Sequence, residues 1–491
     1  MNIIKGTYNF FRLLLVTAIT LFVLLYGGAF LLLSIPTVQN HIRGLGEKTL
    51  SDLLKTDVKI GYVDIEPFNR ISLLNVQVPD QKGDSLLSVE QLGAGFSLYN
   101  LVAHRKLVFT YGEIIGLHGH VTQKDKKSPT NAQFLIDALK SKDPNRKSQT
   151  EITIYNLIIR KSELQYDLLS EAPRVGVFDK NHIHVYDLKA DVVLPMIKRD
   201  DYAVSVKRMS LIEQSGLVVK HFASDVHITD KQLSVANLKI KLPASSIEPE
   251  DFALGYSSLK NLSKEIYSMK INAVLKNAVL NPADFKCFYP KLKTLNRRFA
   301  VNLSFDGTLD KTANFNLGIK PLEDNSAVSL KGRVSNIHNP KDLHFSLTDA
   351  KLHLTSLQVK NIVSLLPKKS AALERVSRSL GDVSWCGNLS GSTVALNMNG
   401  SLKTGLGDLN VDGHLKNIGK QKMFNGKLQT NGVDISRLIE KGKIINRVAL
   451  NANVTAKISN KLELIDIDGR IPFIELKGRR LSNIMAKVSG N

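Results

Sequence analysis

Segments in which apolar and polar residues alternate recur along this chain, as in Val301–Phe305 and Val328–Val334. Successive side chains of a β-strand point to opposite faces, so each segment predicts a strand with one apolar and one polar face. Strands of this kind, joined by hairpins, are typical of an antiparallel sheet with one wet face. Further segments with this pattern are Val226–Ile228, Leu233–Leu242, Leu343–Leu347, Leu352–Leu354, Val394–Gly400, Leu409–Leu415 and Val448–Val454.

Asn or Asp followed by Gly occurs beside many of these segments, and such pairs predict hairpin turns. The pairs are Asp306-Gly307, Asn399-Gly400, Asp412-Gly413, Asn425-Gly426 and Asp468-Gly469. With roughly 8–12 residues per strand, about 450 residues predict on the order of 35–40 strands. Stacked at about 4.8 Å each, they predict a trough on the order of 150 Å long.

Short helical inserts are expected between the strands, at Asn131–Lys142, Pro282–Leu295, Val359–Leu380 and Ile435–Lys443. The last three begin a loose internal repeat, because Phe285, Ile362 and Leu438 are 77 and 76 residues apart. A near-fixed period indicates a repetitive architecture rather than about three compact domains. We assign residues 56–280 to an N-terminal sheet region and residues 281–491 to the repetitive modules.

The N-terminus contains 21 consecutive uncharged residues at 13–33. At about 1.5 Å per residue this stretch spans about 31 Å, the thickness of one bilayer core. A cleaved signal peptide has a shorter apolar region of roughly 7–15 residues and an A-x-A-like site after it. No such site precedes Ser34-Ile35-Pro36, so we predict an uncleaved transmembrane helix over 13–35.

The positive charges on the two sides of this span are nearly balanced, with Lys5 and Arg12 before it. Long domains translocate largely regardless of charge, so a short basic tail favours residues 1–12 in the cytoplasm and the bulk outside it. Beyond the span, Val38–Leu54 has apolar residues at helical spacing. We therefore predict an amphipathic juxtamembrane helix over 38–55.

The composition excludes several classes of protein. Hydrophobic residues make up 43% of the 491 and charged residues 23%, which excludes disorder as the dominant state. The two cysteines, Cys287 and Cys386, exclude a disulfide-rich scaffold and a cysteine-rich zinc site. No cofactor motif is present, since Gly93-x-Gly95 and Gly405-x-Gly407 lack the third glycine of a dinucleotide-binding loop.

The chain has no HExxH or GxSxG motif and is not expected to be an enzyme. Two histidine pairs, His118 with His120 and His182 with His184, each place two imidazoles on one strand face. They are read either as a metal pair or as ordinary polar-face residues. No third ligand is suggested nearby, which favours the second reading.

The formal net charge is +21, from 66 basic and 45 acidic residues. Nucleic-acid binding usually needs a clustered basic patch or a recognition motif, and here the charges are spread along the chain. Attraction to anionic lipid headgroups fits a membrane-anchored chain better.

A sheet with one apolar face must cover that face, and the helical inserts are too few and short to do so. We therefore predict a mostly β fold, an elongated antiparallel sheet that curls into a hydrophobic groove, with an N-terminal transmembrane helix and a few helical inserts. Phospholipid acyl chains are the expected occupant, because burying them in the groove is favourable while the headgroup stays at the wet rim. The predicted groove residues are Leu233, Val235, Ile240, Leu242, Val301, Leu303, Phe305, Val328, Leu330, Leu343, Phe345, Leu347, Leu352, Leu354, Val394, Leu396, Met398, Leu409 and Val411.

The chain resembles the AsmA-like superfamily, and most closely its TamB-type members from Bacteroidota-type bacteria. The resemblance lies in the anchor and helix at the start, followed by Thr56–Gly61, Ile71–Asp80, Asp84–Val89 and Leu98–Leu101. Asn431–Ile439 and Val448–Val454 are similar to the recurring β-groove modules of that group.

The resemblance implies an inner-membrane-anchored, periplasmic β-groove protein linked to phospholipid passage toward the outer membrane and to outer-membrane assembly. Family members of this kind often continue far beyond 491 residues to a region that meets an outer-membrane barrel partner. Here we expect an N-terminal portion or a short member, so contact with such a partner stays an open prediction. The alternatives are a scaffold that tethers envelope machinery without carrying lipid, and an enzyme with a cryptic site at the histidine pairs.

Overall fold

The computed structural model describes residues 2–66, 70–104, 107–139, 150–198, 201–262, 264–365, 371–418, 421–437, 444–458 and 462–490. Within these residues the chain forms 23 β-strands that belong to one sheet, and six α-helices. The prediction of a mostly β, antiparallel fold with an N-terminal helix and short helical inserts is confirmed.

The helices are α1 (Asn2–Leu33), α2 (Pro36–Leu54), α3 (Leu98–His104), α4 (Gln133–Leu139), α5 (Ser356–Leu365) and α6 (Ala371–Ser379). The strands are β1 (Lys59–Glu66), β2 (Arg70–Pro79), β3 (Ser85–Phe96), β4 (Leu107–Gln123), β5 (Thr150–Leu168), β6 (His182–Lys198), β7 (Asp201–Glu213), β8 (Leu217–Thr229), β9 (Gln232–Lys241), β10 (Ser246–Ile247), β11 (Pro249–Gly255), β12 (Lys270–Leu280), β13 (Phe299–Gly307), β14 (Thr312–Pro321), β15 (Ala327–Ser335), β16 (His344–Leu354), β17 (Val383–Ser392), β18 (Ala395–Thr404), β19 (Gly407–Ile418), β20 (Gln421–Asp434), β21 (Ile445–Ile458), β22 (Leu462–Leu476) and β23 (Arg479–Gly490).

Two compact units divide the chain. Unit 1 comprises residues 1–195 and 204–222, and unit 2 comprises residues 196–203 and 223–491. Helix α1 includes Arg12–Leu33, a 22-residue stretch with a mean hydropathy of 2.3. By length and composition this stretch is suited to cross a membrane once.

Unit 1 begins with the antiparallel strands β1–β4, each paired with the next along the chain. Strands β4 and β5 then pair in parallel, and β5 pairs antiparallel with β6. A parallel pair needs a crossover connection, which the chain supplies between residues 124 and 149. The helix predicted at Asn131–Lys142 forms there as α4, and residues 140–142 lie outside the described residues.

Helix α2 lies along the free edge of β1. Glu47 Oε1 accepts the backbone N–H of Ile60, and Ser51 Oγ accepts that of Val58, both at 2.9 Å. Unpaired strand edges promote association between chains, and here the side chains of a helix satisfy the edge groups. Apolar α2 residues, including Leu50 and Leu54, pack on a buried cluster from β1 and β2. The predicted amphipathic helix therefore closes the first edge of the sheet.

Unit 2 contains the antiparallel strands β9–β23, of which β13–β23 have 9–15 residues each. Because neighbouring strands run in opposite directions, alternate connections lie at the same side of the sheet. One side, the helical rim, has the connections 281–298, 322–326, 355–382, 405–406, 435–444 and 477–478. From α5 on, one predicted repeat corresponds to the insert in connection 355–382 followed by the four strands β17–β20, after which the connection 435–444 begins the next repeat.

The helical inserts of unit 2 differ in detail from the prediction. Pro282–Leu295 forms two 3-10 turns, and Val359–Leu380 contains α5 and α6. Of the helix predicted at Ile435–Lys443, residues 438–443 lie outside the described residues, and 435–437 are not helical.

The predicted turn positions and strand count are wrong. Four of the five Asn/Asp-Gly pairs lie inside strands β18, β19, β20 and β22, and Asp306-Gly307 ends β13 rather than forming its turn. Leu343–Leu347 and Leu352–Leu354 belong to the one strand β16, with Leu343 just before it. Fewer turns mean longer strands, so the described residues form 23 strands and not 35–40.

Candidate functional site: the apolar face of unit 2

The apolar residues of unit 2 lie on one face of its sheet. On β13, Val301, Leu303 and Phe305 pair with Ile319, Leu317 and Phe315 of β14. Their neighbours Asn302, Ser304 and Asp306 are exposed on the other face. Period-two alternation thus produces a face of apolar side chains and a face of polar ones.

The apolar face continues across the neighbouring strands, where the residues on it are again apolar or glycine. One cross-strand row, read from β12 to β23, is Leu275, Leu303, Leu317, Leu330, Ala350, Gly387, Gly400, Val411, Leu428, Ala452, Gly469 and Ala486. A second row runs parallel to it and includes Phe305, Phe315, Leu347, Leu389, Met398, Val454, Ile467 and Val488. Each residue therefore has an apolar or glycine neighbour on both sides.

β-bulges keep the apolar residues on this face where the spacing of the sequence changes. In β9, Leu233 and Val235 have odd numbers, whereas Ile240, and Leu242 just after the strand, have even ones. Asn237 between them has a φ of 53°, a left-handed conformation that asparagine tolerates and that marks an inserted residue. Leu233 pairs with Leu254 of β11 and Ile240 with Ile247 of β10. The two halves of β9 thus contribute to the same face.

Glycines on the apolar face sit where neighbouring backbones approach most closely. A Cβ atom built on Gly387 would lie 2.5 Å from the Cα of Gly400, its partner on β18. One built on Gly426 would lie 2.3 Å from the Cα of Gly413, its partner on β19. Ordinary carbon contacts are 3.5–4.0 Å, so only glycine fits these positions.

The polar face opens at the same place. A cleft of about 320 Å³ lies along β17–β20, and Asn399, Asp412 and Asn425 are among its lining residues.

No second layer covers the apolar face within the part of unit 2 that the structure describes. Of the 19 predicted groove residues only Leu242, Val301, Leu347 and Val411 are buried, at 7–9% exposure. Val394 is 56% exposed, because it lies in the connection before β18 rather than in the strand. The other fourteen are partly exposed. The face is therefore apolar and still accessible.

Many residues of this face are absent from the predicted set of groove residues. Among them are Phe315, Leu317 and Ile319 of β14, Trp385 and Leu389 of β17, and Phe424 and Leu428 of β20. The same alternation was available in their segments, as in Phe315-Asn-Leu-Gly-Ile319.

The histidine pairs lie in unit 1 and face carboxylates on β5. Glu163 is between two imidazoles: its Oε2 is 3.2 Å from His118 Nδ1, and its Oε1 contacts His184 Nε2. Asp167 is 2.8 Å from both His120 Nε2 and His182 Nδ1. Among the described residues no group of three side chains is arranged to hold a metal ion. The arrangement links β4, β5 and β6 side by side.

These contacts shift the pKa values of Glu163, Asp167 and His182. The hydrogen bond from His184 lowers the pKa of Glu163, and the hydrogen bond to Asp167 raises that of His182. Burial raises the pKa of Asp167, but the bonds to His182 and His120 outweigh it and leave the value low. Glu163, Asp167 and His182 therefore favour their charged forms.

Unit 1 also has an open cavity of about 890 Å³ beside the C-terminal end of α2. Its lining mixes apolar side chains such as Leu53 and Phe134 with Lys55, Lys82 and Lys124. The cavity can receive an amphipathic molecule by size and lining, although its acidic residues leave it without a clear charge preference.

No protein-family model matches the chain, and neither a curated protein nor a solved structure matches it.

Proposed function

We propose that this protein is anchored in the bacterial inner membrane by α1 and carries phospholipids toward the outer membrane along the apolar face of its periplasmic sheet, supporting outer-membrane assembly. The observation that carries the proposal is a continuous apolar face that no second layer covers in the described residues. An exposed apolar face of this extent usually marks a binding surface.

Acyl chains match the face energetically. Burying one CH₂ group is worth about 0.8 kcal/mol, so an acyl chain that lies against several strands is held by roughly 10 kcal/mol before the loss of its mobility. Phe305, Phe315 and Leu317 are partly exposed and offer such contacts. The headgroup stays in water at the rim, because a charged phosphate is costly to bury.

The location rests on α1 and on the resemblance to the AsmA-like superfamily. A single span places the sheet on one side of a membrane, and the short basic tail favours the far side from the cytoplasm. An outer-membrane barrel is the partner that the resemblance suggests.

The second candidate is a scaffold that binds envelope proteins and carries no lipid. The polar face of unit 2 is exposed and has charged residues such as Asp412 and Lys427, which favours this alternative. Such a scaffold needs its polar face and its anchor, and it tolerates changes on the apolar face.

Lipid extraction from the purified full chain, followed by mass spectrometry, tests the proposal. Leu303→Asp and Leu396→Asp place a charge on the apolar face, whereas Ser304→Asp and Asn397→Asp place it on the neighbouring polar face. We expect the first pair to lose bound phospholipid and the second pair to retain it. Phospholipid absent from the unmodified chain, or retained equally in all variants, contradicts the proposal.

In cells, the same four variants separate the two candidates. A conduit predicts a defect in outer-membrane permeability for the apolar-face pair only. A scaffold predicts normal permeability for that pair, together with loss of co-purifying envelope proteins when the polar face is changed.

A further inference from the structure

Part of the helical rim carries exposed aromatic side chains between lysines. In the segment Lys286–Lys293, Phe288 and Tyr289 are 55% and 42% exposed, and Lys286, Lys291 and Lys293 are exposed around them. Aromatic residues flanked by lysines are typical of segments that lie at a membrane–water interface.

This segment is held firmly at its base. Asn281 caps the first 3-10 turn, with its Oδ1 accepting the N–H of Ala283 at 3.0 Å. Asp284 Oδ2 accepts the hydroxyl of Ser245 at 2.6 Å, and Cys287 is buried. The backbone is thus fixed while the two following rings project outward.

Neighbouring connections extend the same surface. Asp324 Oδ2 accepts a hydrogen bond from Gln358 of α5 at 2.7 Å and contacts Arg297 at 3.4 Å. Three connections of the helical rim, 281–298, 322–326 and 355–382, are therefore joined through one carboxylate. Their further exposed apolar side chains are Leu322, Leu357 and Ile362, each 45–48% exposed.

The charge of this surface is positive. The described residues of these connections, 281–298, 322–326, 355–365 and 371–382, contain eight basic and five acidic residues, a net formal charge of +3. The acidic residues have local partners: Glu323 pairs with Arg298 and Glu374 with Arg378, both at 3.6 Å, and Asp382 accepts the backbone N–H of Ser356 at 2.7 Å. The lysines beside Phe288 and Tyr289 are exposed and contribute to this positive charge.

We propose that this part of the helical rim docks on an anionic lipid bilayer, with Phe288 and Tyr289 entering the interface and Lys286, Lys291 and Lys293 contacting headgroups. The contact is distinct from the α1 anchor and does not require an occupied groove. A bilayer is favoured over an acidic protein because the exposed rings are amphipathic or apolar and the chain already has a segment suited to a membrane.

A single-tryptophan version of the full chain tests this contact. Trp385→Phe removes the native tryptophan, and Phe288→Trp places one at the rim. Tyr267→Trp, at an exposed aromatic residue on the opposite side of the strands, is the matched control. In the first arrangement, each chain is held by α1 in a nanodisc and mixed with vesicles of phosphatidylcholine and 30% phosphatidylglycerol that contain brominated acyl chains. In the second arrangement, the brominated lipids are in the nanodisc and the vesicles contain none.

We expect bromine to quench the tryptophan at 288 at least twofold more than that at 267 in one of the two arrangements. Lys291→Gln with Lys293→Gln is expected to raise the vesicle concentration for half-quenching roughly tenfold or more, and 0.5 M salt to act likewise. Equal quenching at 288 and 267 in both arrangements overturns the proposal. Quenching that is the same with phosphatidylcholine alone overturns its electrostatic part.

The failure of this proposal is distinguishable from failure of the conduit. Leu303→Asp should leave the quenching at 288 unchanged, because Leu303 lies on the apolar face and not on the rim. If the chain binds phospholipid but the tryptophan at 288 is not quenched more than that at 267, the docking proposal is wrong and the conduit proposal stands.

Discussion

Gly387 and Gly400 face each other across β17 and β18, so close that neither position has room for a side chain on the apolar face. Gly413 and Gly426 repeat this relationship between β19 and β20. The close approach of these strands therefore depends on residues that contribute no apolar side chain themselves.

Replacing Gly400 with valine should destabilise unit 2 by roughly 2 kcal/mol or more, because the new side chain overlaps Trp385 and the backbone of β17. Thermal unfolding of the full chain, followed by circular dichroism, measures the effect. Asn399→Val is the control, since Asn399 is exposed on the polar face of the same strand. Equal melting temperatures for the two variants would show that the close approach is not required.

Glu47→Ala together with Ser51→Ala should lower stability by about 1–3 kcal/mol for each backbone N–H left without an acceptor. The uncovered edge of β1 should also promote association between chains. Thermal unfolding and light scattering of the full chain in detergent report the two effects. Glu47→Gln keeps an acceptor oxygen and is expected to behave like the unmodified chain, and a monodisperse, stable double variant contradicts the proposed role of α2.

The His182–Asp167 contact should make unit 1 more stable in mild acid than at alkaline pH. The pKa of His182 is raised on folding, so its contribution is complete below about pH 6.5 and is lost as the pH rises through the folded value. The pKa of Asp167 is lowered, so its contribution is present above about pH 4 and is lost as the pH falls through the folded value.

Melting temperatures measured from pH 4 to pH 8.5 check this behaviour. We expect a decline as the pH rises above about 6.5, which His182→Gln flattens. His338→Gln, in unit 2, is the control and should preserve the decline. A profile that His182→Gln does not alter would assign the pH dependence to other groups.

Asp324→Ala should loosen the helical rim, because Gln358, Arg297 and the N–H of Ser326 lose a shared acceptor. The expected cost is about 1–3 kcal/mol, with faster proteolytic cleavage in residues 356–379. Asp324→Asn retains an acceptor oxygen and should be cleaved more slowly than Asp324→Ala. Cleavage at the same rate in both variants and in the unmodified chain would contradict the role of Asp324 in joining these connections.

Local pattern in the sequence was sufficient to predict that the alternating segments lie in strands and that the N-terminus contains an apolar helix, although it did not predict where the strands end. Segments such as Val301–Phe305 and Leu409–Leu415 lie within strands as expected, because side-chain alternation is a property of the strand itself. The 13–33 stretch is helical for a comparable reason, since its length and hydropathy are read directly from composition.

Local pattern predicts hairpin turns at Asn399-Gly400 and Asp412-Gly413, and that prediction is wrong. A pair of this type is compatible with a hairpin turn, but it equally fits a mid-strand bend that needs a residue without a Cβ atom. Only the pairing of β18 with β17 and β19 distinguishes the two, and that pairing joins residues distant along the chain.

The alternation of apolar and polar residues by itself determined that this protein is a one-sided antiparallel sheet behind an apolar helix, because both features follow from the periodicity and length of local segments. The tertiary structure alone decided which apolar residues share a row, where neighbouring strands need glycine and which side chains gather around Asp324 and Glu163. Bulges such as Asn237 reverse the face of every later residue in a strand, and cross-strand partners are set by packing over the whole sheet, so neither is encoded in any single segment.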